Sequence, residues 1–268
     1  MKGYAHHLAI DFKSGIRDAT LMLMNYLFPI GFFVMIGLFM PTINPGFVDL
    51  MIPGMIVFAI MSGTLMTIPS TLVDQRSSGI LRSFRVNGVP AGSMVTIPII
   101  GSVAHMSVVA VILTIGSSAL YGAPLPVSWG WFIVTFVIAT MSFASLSALI
   151  GVVAQSSRAA TMLAQLVYLP SVLLGGLMVP EELLPAAVAR GASLLPATQA
   201  MRAFNTLAFD GAVATPAAIA PLLFLAASIV LNLALCFLLF EWDNRTVRRE
   251  HLLGLLAVLP FALAVALT

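Results

Sequence analysis

Long apolar runs joined by short polar connections make up most of the chain. Residues 19–40, 50–73, 93–120, 129–153, 159–179 and 216–240 contain no Lys, Arg, Asp or Glu. Each reaches the roughly 20 residues that an α-helix needs to cross a hydrocarbon core about 30 Å thick. In lipid, every backbone N–H and C=O must find its partner inside the structure, which a helix achieves and an open strand does not. The pattern predicts an all-α polytopic membrane protein with six transmembrane helices. A further apolar run over 252–268 follows a charged segment. At about 1.5 Å per residue it reaches about 25 Å, so a seventh span and a re-entrant or interfacial helix fit it equally. The organisation that follows is a transmembrane domain over 1–250 and an extra C-terminal apolar segment over 251–268.

Several runs contain proline, as Pro29, Pro53, Pro69, Pro98 and Pro170. Each removes a backbone donor and frees a carbonyl that neighbouring helices can satisfy, so kinked or interrupted helices are expected. The fourth run sets Ala144, Ser147, Ala148 and Gly151 at helical spacing, a small-residue face that lets helix backbones approach closely.

Charge sets the expected orientation. With a cytoplasmic N-terminus, Lys2, Lys13, Arg17, Arg76, Arg82, Arg85, Arg158, Arg245, Arg248 and Arg249 fall inside, and only Arg190 and Arg202 fall outside. The opposite orientation would invert that asymmetry, against the positive-inside tendency. Ahead of the first run, Tyr4, Leu8, Phe12 and Ile16 recur every four residues, the spacing of an amphipathic interfacial helix. His6 and His7 lie in the same stretch without the further ligands of a metal site. The first run lacks a small-residue cleavage site and reads as an uncleaved signal anchor.

Composition narrows the function classes. Of 268 residues, 60% are hydrophobic and 8% charged, and the mean hydropathy is +1.07; a soluble domain carries roughly a quarter charged residues. So few charges cannot cover a water-soluble globule, and a formal charge of +2 gives no basis for binding nucleic acid. Cys236, the single cysteine, offers neither a disulfide framework nor a metal cluster. The runs hold no acid, and His105 is their only histidine. That leaves no acid–base pair for an intramembrane enzyme and no acidic coupling residue of the kind ion-driven transporters use.

Two segments are not simply lipid-facing. Between the second and third runs, Asp74 is placed to cap a helix start, and Asn87-Gly88 and Pro90 are stop signals. Ile80, Leu81 and Phe84 share a face between them, with Arg76, Arg82 and Arg85 around it. A short basic helix with an apolar knob suits a groove on another protein; apolar residues of a positive-inside loop resting on the bilayer account for it equally. Between the fifth and sixth runs, residues 174–209 stay apolar but are broken by Gly175, Gly176, Pro180, Pro185 and Pro196 and carry Glu181, Glu182 and Arg202. Short re-entrant helices are expected there, braced by an ion pair of Arg202 with Glu181 or Glu182, because irregular backbone at membrane depth must be buried in protein or line a cavity.

These residues resemble the ABC-2 type exporter permeases, a family that includes drug-resistance and O-antigen exporters. Members have six spans and a cytoplasmic N-terminus. Their loop after the second span commonly reads E-R-E-x-G-T-L-E-x-L-x-x-T-P, matched here from Asp74-Gln75-Arg76 through Gly79-Ile80-Leu81 to Phe84 and Val89-Pro90. Their fifth span leads into G-x-x-x-P-x-x-x-L-P, a later proline and an arginine, matched by Gly176, Pro180, Leu184-Pro185, Pro196 and Arg202. The match departs where Gln75 and Arg82 stand in place of usual acids, and in the run 252–268.

The resemblance implies a permease subunit of an ATP-driven exporter in a bacterial or archaeal plasma membrane. Asp74, Gln75, Arg76, Gly79, Ile80, Leu81, Phe84 and Arg85 would form the helix that couples to a separate ABC ATPase, moving with it and driving the first, second and fifth spans. A second permease chain, identical or different, would complete the transporter, with the substrate path between the two. This chain has no G-x-x-x-x-G-K-[ST] stretch, so ATP and Mg are expected on the partner and no cofactor on this chain. Charge-free spans favour a lipophilic drug or lipid-linked substrate. Asn25, His105, Gln165, Tyr168 and Asn232 are candidates for its path, or for hydrogen bonds between helices. The competing readings are a non-transporting assembly factor and an ion-coupled transporter.

Overall fold

A computed structural model describes residues 2–211, 213–242 and 249–267. Arg245 and Arg248, used above for orientation, lie outside the described residues, as do the side chains of His6, His7, Glu182 and Arg249. Helix α1 (Lys2–Arg17) precedes the first span, α2 (Ala19–Ile43). Asp18 separates them, its carboxylate accepting the N–H groups of Thr20 and Leu21, both at 2.9 Å. That satisfies two donors that an uncapped helix start leaves open. The chain continues through α3 (Phe47–Ser77), α4 (Ile80–Val86), α5 (Ala91–Tyr121), α6 (Trp129–Val153) and α7 (Ser157–Leu174). Beyond α7 come a 3₁₀ turn (Glu181–Leu183), α8 (Ala186–Ala192), α9 (Pro196–Ala203) with a π turn (Phe204–Phe209), and α10 (Pro216–Leu239). A 3₁₀ stretch (Arg249–Val258) leads into α11 (Leu259–Leu267). No strand occurs among the described residues. The protein is a polytopic all-α membrane protein.

Among the described residues five helices, α2, α3, α5, α6 and α10, are long and apolar enough to cross a membrane. The fifth run of the sequence differs: a helix expected over 159–179 stops at Leu174. The Gly175 N–H returns to the Ser171 carbonyl at 2.9 Å, and Gly176 follows at φ 81°, a left-handed conformation that glycine adopts without strain. With 18 residues, Arg158 near its start and Gln165 midway, α7 extends about 27 Å, just short of a hydrocarbon core about 30 Å thick. The C-terminal run also falls short. Its apolar helix covers Leu253–Val265, about 20 Å at 1.5 Å per residue, and leans on its neighbours. A Cβ on Gly254 would touch Val153 at the end of α6 at 3.1 Å, and Phe261 is buried in the main core.

The bundle is arranged around α3. Of its most apolar window 94% is buried, against 22% for α2. A helix apolar on every side has no polar face to turn outward and belongs at the centre. Met51, Met55, Phe58 and Met61 fill that centre, while Leu38, Phe39 and Ile43 of α2 stay exposed on the outside of the bundle. The small-residue face of α6 does what its spacing predicts. Ala144 and Ala148 are fully buried, and a Cβ on Gly151 would lie 3.0 Å from Leu72 Cβ and 3.1 Å from Pro69 Cα of α3. On its other side α6 meets α10 through a 2.6 Å hydrogen bond between the hydroxyls of Ser142 and Ser228.

Pro29 and Pro69 follow an interruption, while Pro53, Pro98 and Pro170 sit inside continuous helix. α3 turns at Met66 and Thr67, just ahead of Pro69, and α2 carries a π turn over Leu23–Leu27, just ahead of Pro29. The apolar face of α1 lies against α5: the Tyr4 and Thr96 hydroxyls share a 2.9 Å hydrogen bond, and Phe12 stacks on His105 with centroids 4.4 Å apart.

Candidate functional site

The connection between α3 and α5 is short and sharply shaped. Helix α3 ends at Ser77, and the chain reverses through Gly79 at φ 79° before α4 begins. Asp74 therefore caps no helix start; it sits in the last turn of α3, where its carboxylate accepts the Ser157 hydroxyl at the head of α7. The stop signals act as expected. Asn87 closes α4, its side-chain amide donating to the Ser83 carbonyl at 2.8 Å, and Gly88 follows at φ 75°. The seven residues of α4 divide by direction. Leu81 is 1% exposed and anchors the helix in the body, whereas Ile80 is 46% and Val86 81% exposed, with Arg82 and Arg85 also at the surface. Phe84 and Gln75 are half-buried. Val86 was not singled out by the sequence pattern, although it is the most exposed apolar side chain of the turn.

Arg76 points inward. Its guanidinium donates to the Val152 carbonyl at 2.9 Å and to the Ala154 carbonyl, while Nε has no partner. The last carbonyls of a helix lack intrahelical donors, and a cation there also complements the helix dipole. Arg76 thus ties the end of α3 to the end of α6, and Asp74 ties it to the start of α7. The turn is fastened to the 153–157 connection, a linkage that sequence spacing does not reveal.

The segment after α7 folds back onto the core. Leu177 is fully buried, its carbonyl 3.0 Å from where a Cβ on Gly54 of α3 would lie. Pro180 and Pro185 directly precede the Glu181–Leu183 turn and α8, and Pro196 is the first residue of α9. Proline's fixed φ and missing donor suit such starts. Arg202 makes a bidentate pair with Glu181, one arm at 2.8 Å, and donates to the Ser193 hydroxyl at 2.7 Å. Two residues missed in the sequence complete the brace. Thr198 and Gln199 donate to the carbonyls of Ala192 and Ser193, at 2.6 and 2.8 Å, and so cap the end of α8. Both ends of the segment are buried, Leu177 at the start and Ala200, Phe204 and Leu207 at the end, while Leu183 between them is 70% exposed.

A family model described as ABC-2 type transporter matches residues 7–209, which takes in most of α1, the α4 turn and the folded-back segment. The chain belongs to that family. It is a permease of an ABC transporter, a transport subunit rather than an enzyme. No curated protein and no solved structure matches it.

Within the permease, the five polar residues expected along a substrate path lie at three interfaces. Asn25 and His105 line one cavity between α1, α2, α3 and α5. Gln165 and Tyr168 of α7 face α3, Gln165 donating to the Met66 sulfur at 3.4 Å and the Tyr168 ring standing 6.2 Å from that of Phe58. Asn232 of α10 donates to the Ser145 hydroxyl of α6 at 3.3 Å. The last is a helix-to-helix hydrogen bond, the plainer of the two expected roles.

Proposed function

We propose that this permease works with a separate ATPase subunit that seats on the α4 turn, and that a second permease chain, identical or different, completes an ATP-driven exporter. The observation that carries the docking is the division of α4: Leu81 held in the body, Ile80 and Val86 standing out beside Arg85. A short basic helix with outward apolar side chains fits a groove on a partner protein. The sequence has no phosphate-cradling G-x-x-x-x-G-K-[ST] stretch, in keeping with ATP and Mg held on that partner. The excess of Lys and Arg on the side of the N-terminus and the α4 turn supports a cytoplasmic placement of both in a bacterial or archaeal plasma membrane.

In this reading, closure of the ATPases pulls on the α4 turn, and the Arg76 and Asp74 attachments carry the pull to the end of α6 and the start of α7. The folded-back segment over 175–209 frames the outward end of the path. Spans without charged residues favour a lipophilic or lipid-linked substrate, a drug among them, over an ion or charged metabolite.

Co-purification with the ATPase encoded beside this gene tests the docking. Wild type is expected to retain the ATPase, and Ile80→Asp and Val86→Asp to lose it while eluting from gel filtration as wild type does. A wild-type chain that brings down no ATPase, or variants that hold it fully, would overturn the docking and favour an assembly role.

A further inference from the structure

We propose that the half-open cavity between α1, α2, α3 and α5 binds an uncharged polyhydroxyl group, such as the sugar or glycerol end of a lipid. The cavity measures about 100 Å³. Cavities of about 150 Å³ admit a benzene ring, so this one takes part of a sugar or a glycerol unit and not a whole lipid. It lies in the half of the bundle that carries the N-terminus and the α4 turn, since its walls come from the end of α1, the first turns of α2 and the last turns of α3.

Two helices give up regular geometry around it, and a third carries a proline there. The π turn of α2 carries Asn25, α3 breaks at Thr67, and α5 contains Pro98; all three residues line the cavity. Irregular backbone inside a membrane protein is tolerated where it is buried or borders a polar cavity, and single π turns recur at functional positions. The fourth wall is tight: a side chain on Gly15 of α1 would meet His105 Nε2 at 2.5 Å, and the His105 ring is held by Tyr26 and Phe12.

The chemistry of the lining selects the guest. Thr67, Thr71 and Ser102 each spend the hydroxyl proton on a backbone carbonyl, those of Gly63, Thr67 and Pro98, at 2.5, 2.8 and 2.8 Å. Their oxygens remain as acceptors. Asn25 is 6% exposed, and its side-chain carbonyl oxygen has no partner. A buried acceptor left unpaired is costly, and a guest bearing O–H donors removes that cost. Among the described side chains no Lys, Arg, Asp or Glu lines the cavity, so a phosphate or an ammonium would find no countercharge among them. Hydroxyl groups without charge fit the arrangement.

As a loading site for export, the cavity rests on the transport reading above; as a binding site it does not. The test therefore uses the permease alone, without ATPase, so that either reading can fail while the other stands. The permease is reconstituted in nanodiscs containing glucosyl-diacylglycerol or plain diacylglycerol, and retained lipid is counted by native mass spectrometry. Wild type is expected to prefer the glucosyl lipid by about tenfold, the scale of one or two net hydrogen bonds. Asn25→Leu and Thr71→Val should lose most of that preference. Thr114→Val, which removes another buried hydroxyl of α5 away from the cavity, should keep it and so controls for packing. Displacement by free methyl glucoside assigns recognition to the sugar itself, and resistance to displacement assigns it to the lipid-borne group. Equal retention of both lipids by wild type, or a preference unchanged in Asn25→Leu and Thr71→Val, overturns the proposal and leaves the cavity to ordered water.

Discussion

The guanidinium of Arg76 and the Val152 carbonyl meet at 2.9 Å, with a second arm on Ala154, so the last turn of α3 holds the open end of α6. The contact fixes the base of the α4 turn from inside, while Ile80 and Val86 remain outside. Together with the Asp74–Ser157 hydrogen bond, it fastens the turn to the junction of α6 and α7.

Arg76→Ala should lower stability by about 1.5–3 kcal/mol, the range for hydrogen bonds that involve a charged group. Arg76→Lys should recover little, because a single ammonium does not span two carbonyls as a planar fork does. Denaturant unfolding in detergent micelles measures both. Full rescue by lysine would show that charge at the helix end suffices.

Gly151 is a steric requirement of the α3–α6 crossing. Its Cβ would come within 3.1 Å of the backbone at Pro69, which cannot swing away as a side-chain end can. Gly151→Ala is expected to cost about 1–3 kcal/mol as overpacking. The same unfolding measurement applies, and a neutral result would mean that the two helices slide apart freely.

The Arg202–Glu181 pair keeps about a quarter of each side chain exposed, so its worth should stay near the upper end of the 0.2–1 kcal/mol typical of accessible pairs. Its larger effect is on local opening. Glu181→Gln should speed proteolysis of the 175–195 segment in proteoliposomes, and the swap of Glu181→Arg with Arg202→Glu should restore part of the protection. No change in cleavage rate would show that Thr198 and Gln199 hold the segment by themselves.

Asn232 donates one long hydrogen bond to Ser145 and leaves its oxygen unpaired. Interhelical hydrogen bonds in membranes average about 0.6 kcal/mol, and removing the unpaired oxygen returns part of that. Asn232→Leu should therefore shift stability by less than about 1 kcal/mol and leave transport intact. A transport-dead but stable Asn232→Leu would place the residue on the substrate path after all.

Apolar length is a local property that sums along the chain, and lipid enforces it residue by residue. The run read at 129–153 is therefore the helix Trp129–Val153 itself, and the other spans differ from their expected bounds by a few residues at the ends. The exception, α7, ends early because two adjacent glycines, Gly175 and Gly176, permit a reversal that hydrophobicity does not register. A pairing of Arg202 with Glu181 or Glu182 was legible because the few charges in an otherwise apolar segment have few other partners, and the structure pairs Arg202 with Glu181.

The sequence by itself thus determined that this is a helical membrane protein, where five of its spans lie, and that two connections are special. Only the tertiary structure decided which way the side chains of those connections face. Arg76 and Leu81 turn inward and Ile80 and Val86 outward, and Asn25 and His105 share a cavity while Asn232 does not. The physical reason is distance along the chain. Arg76 finds its carbonyls 76 and 78 residues away, and a partner so remote is chosen by how whole helices pack, which no local spacing encodes.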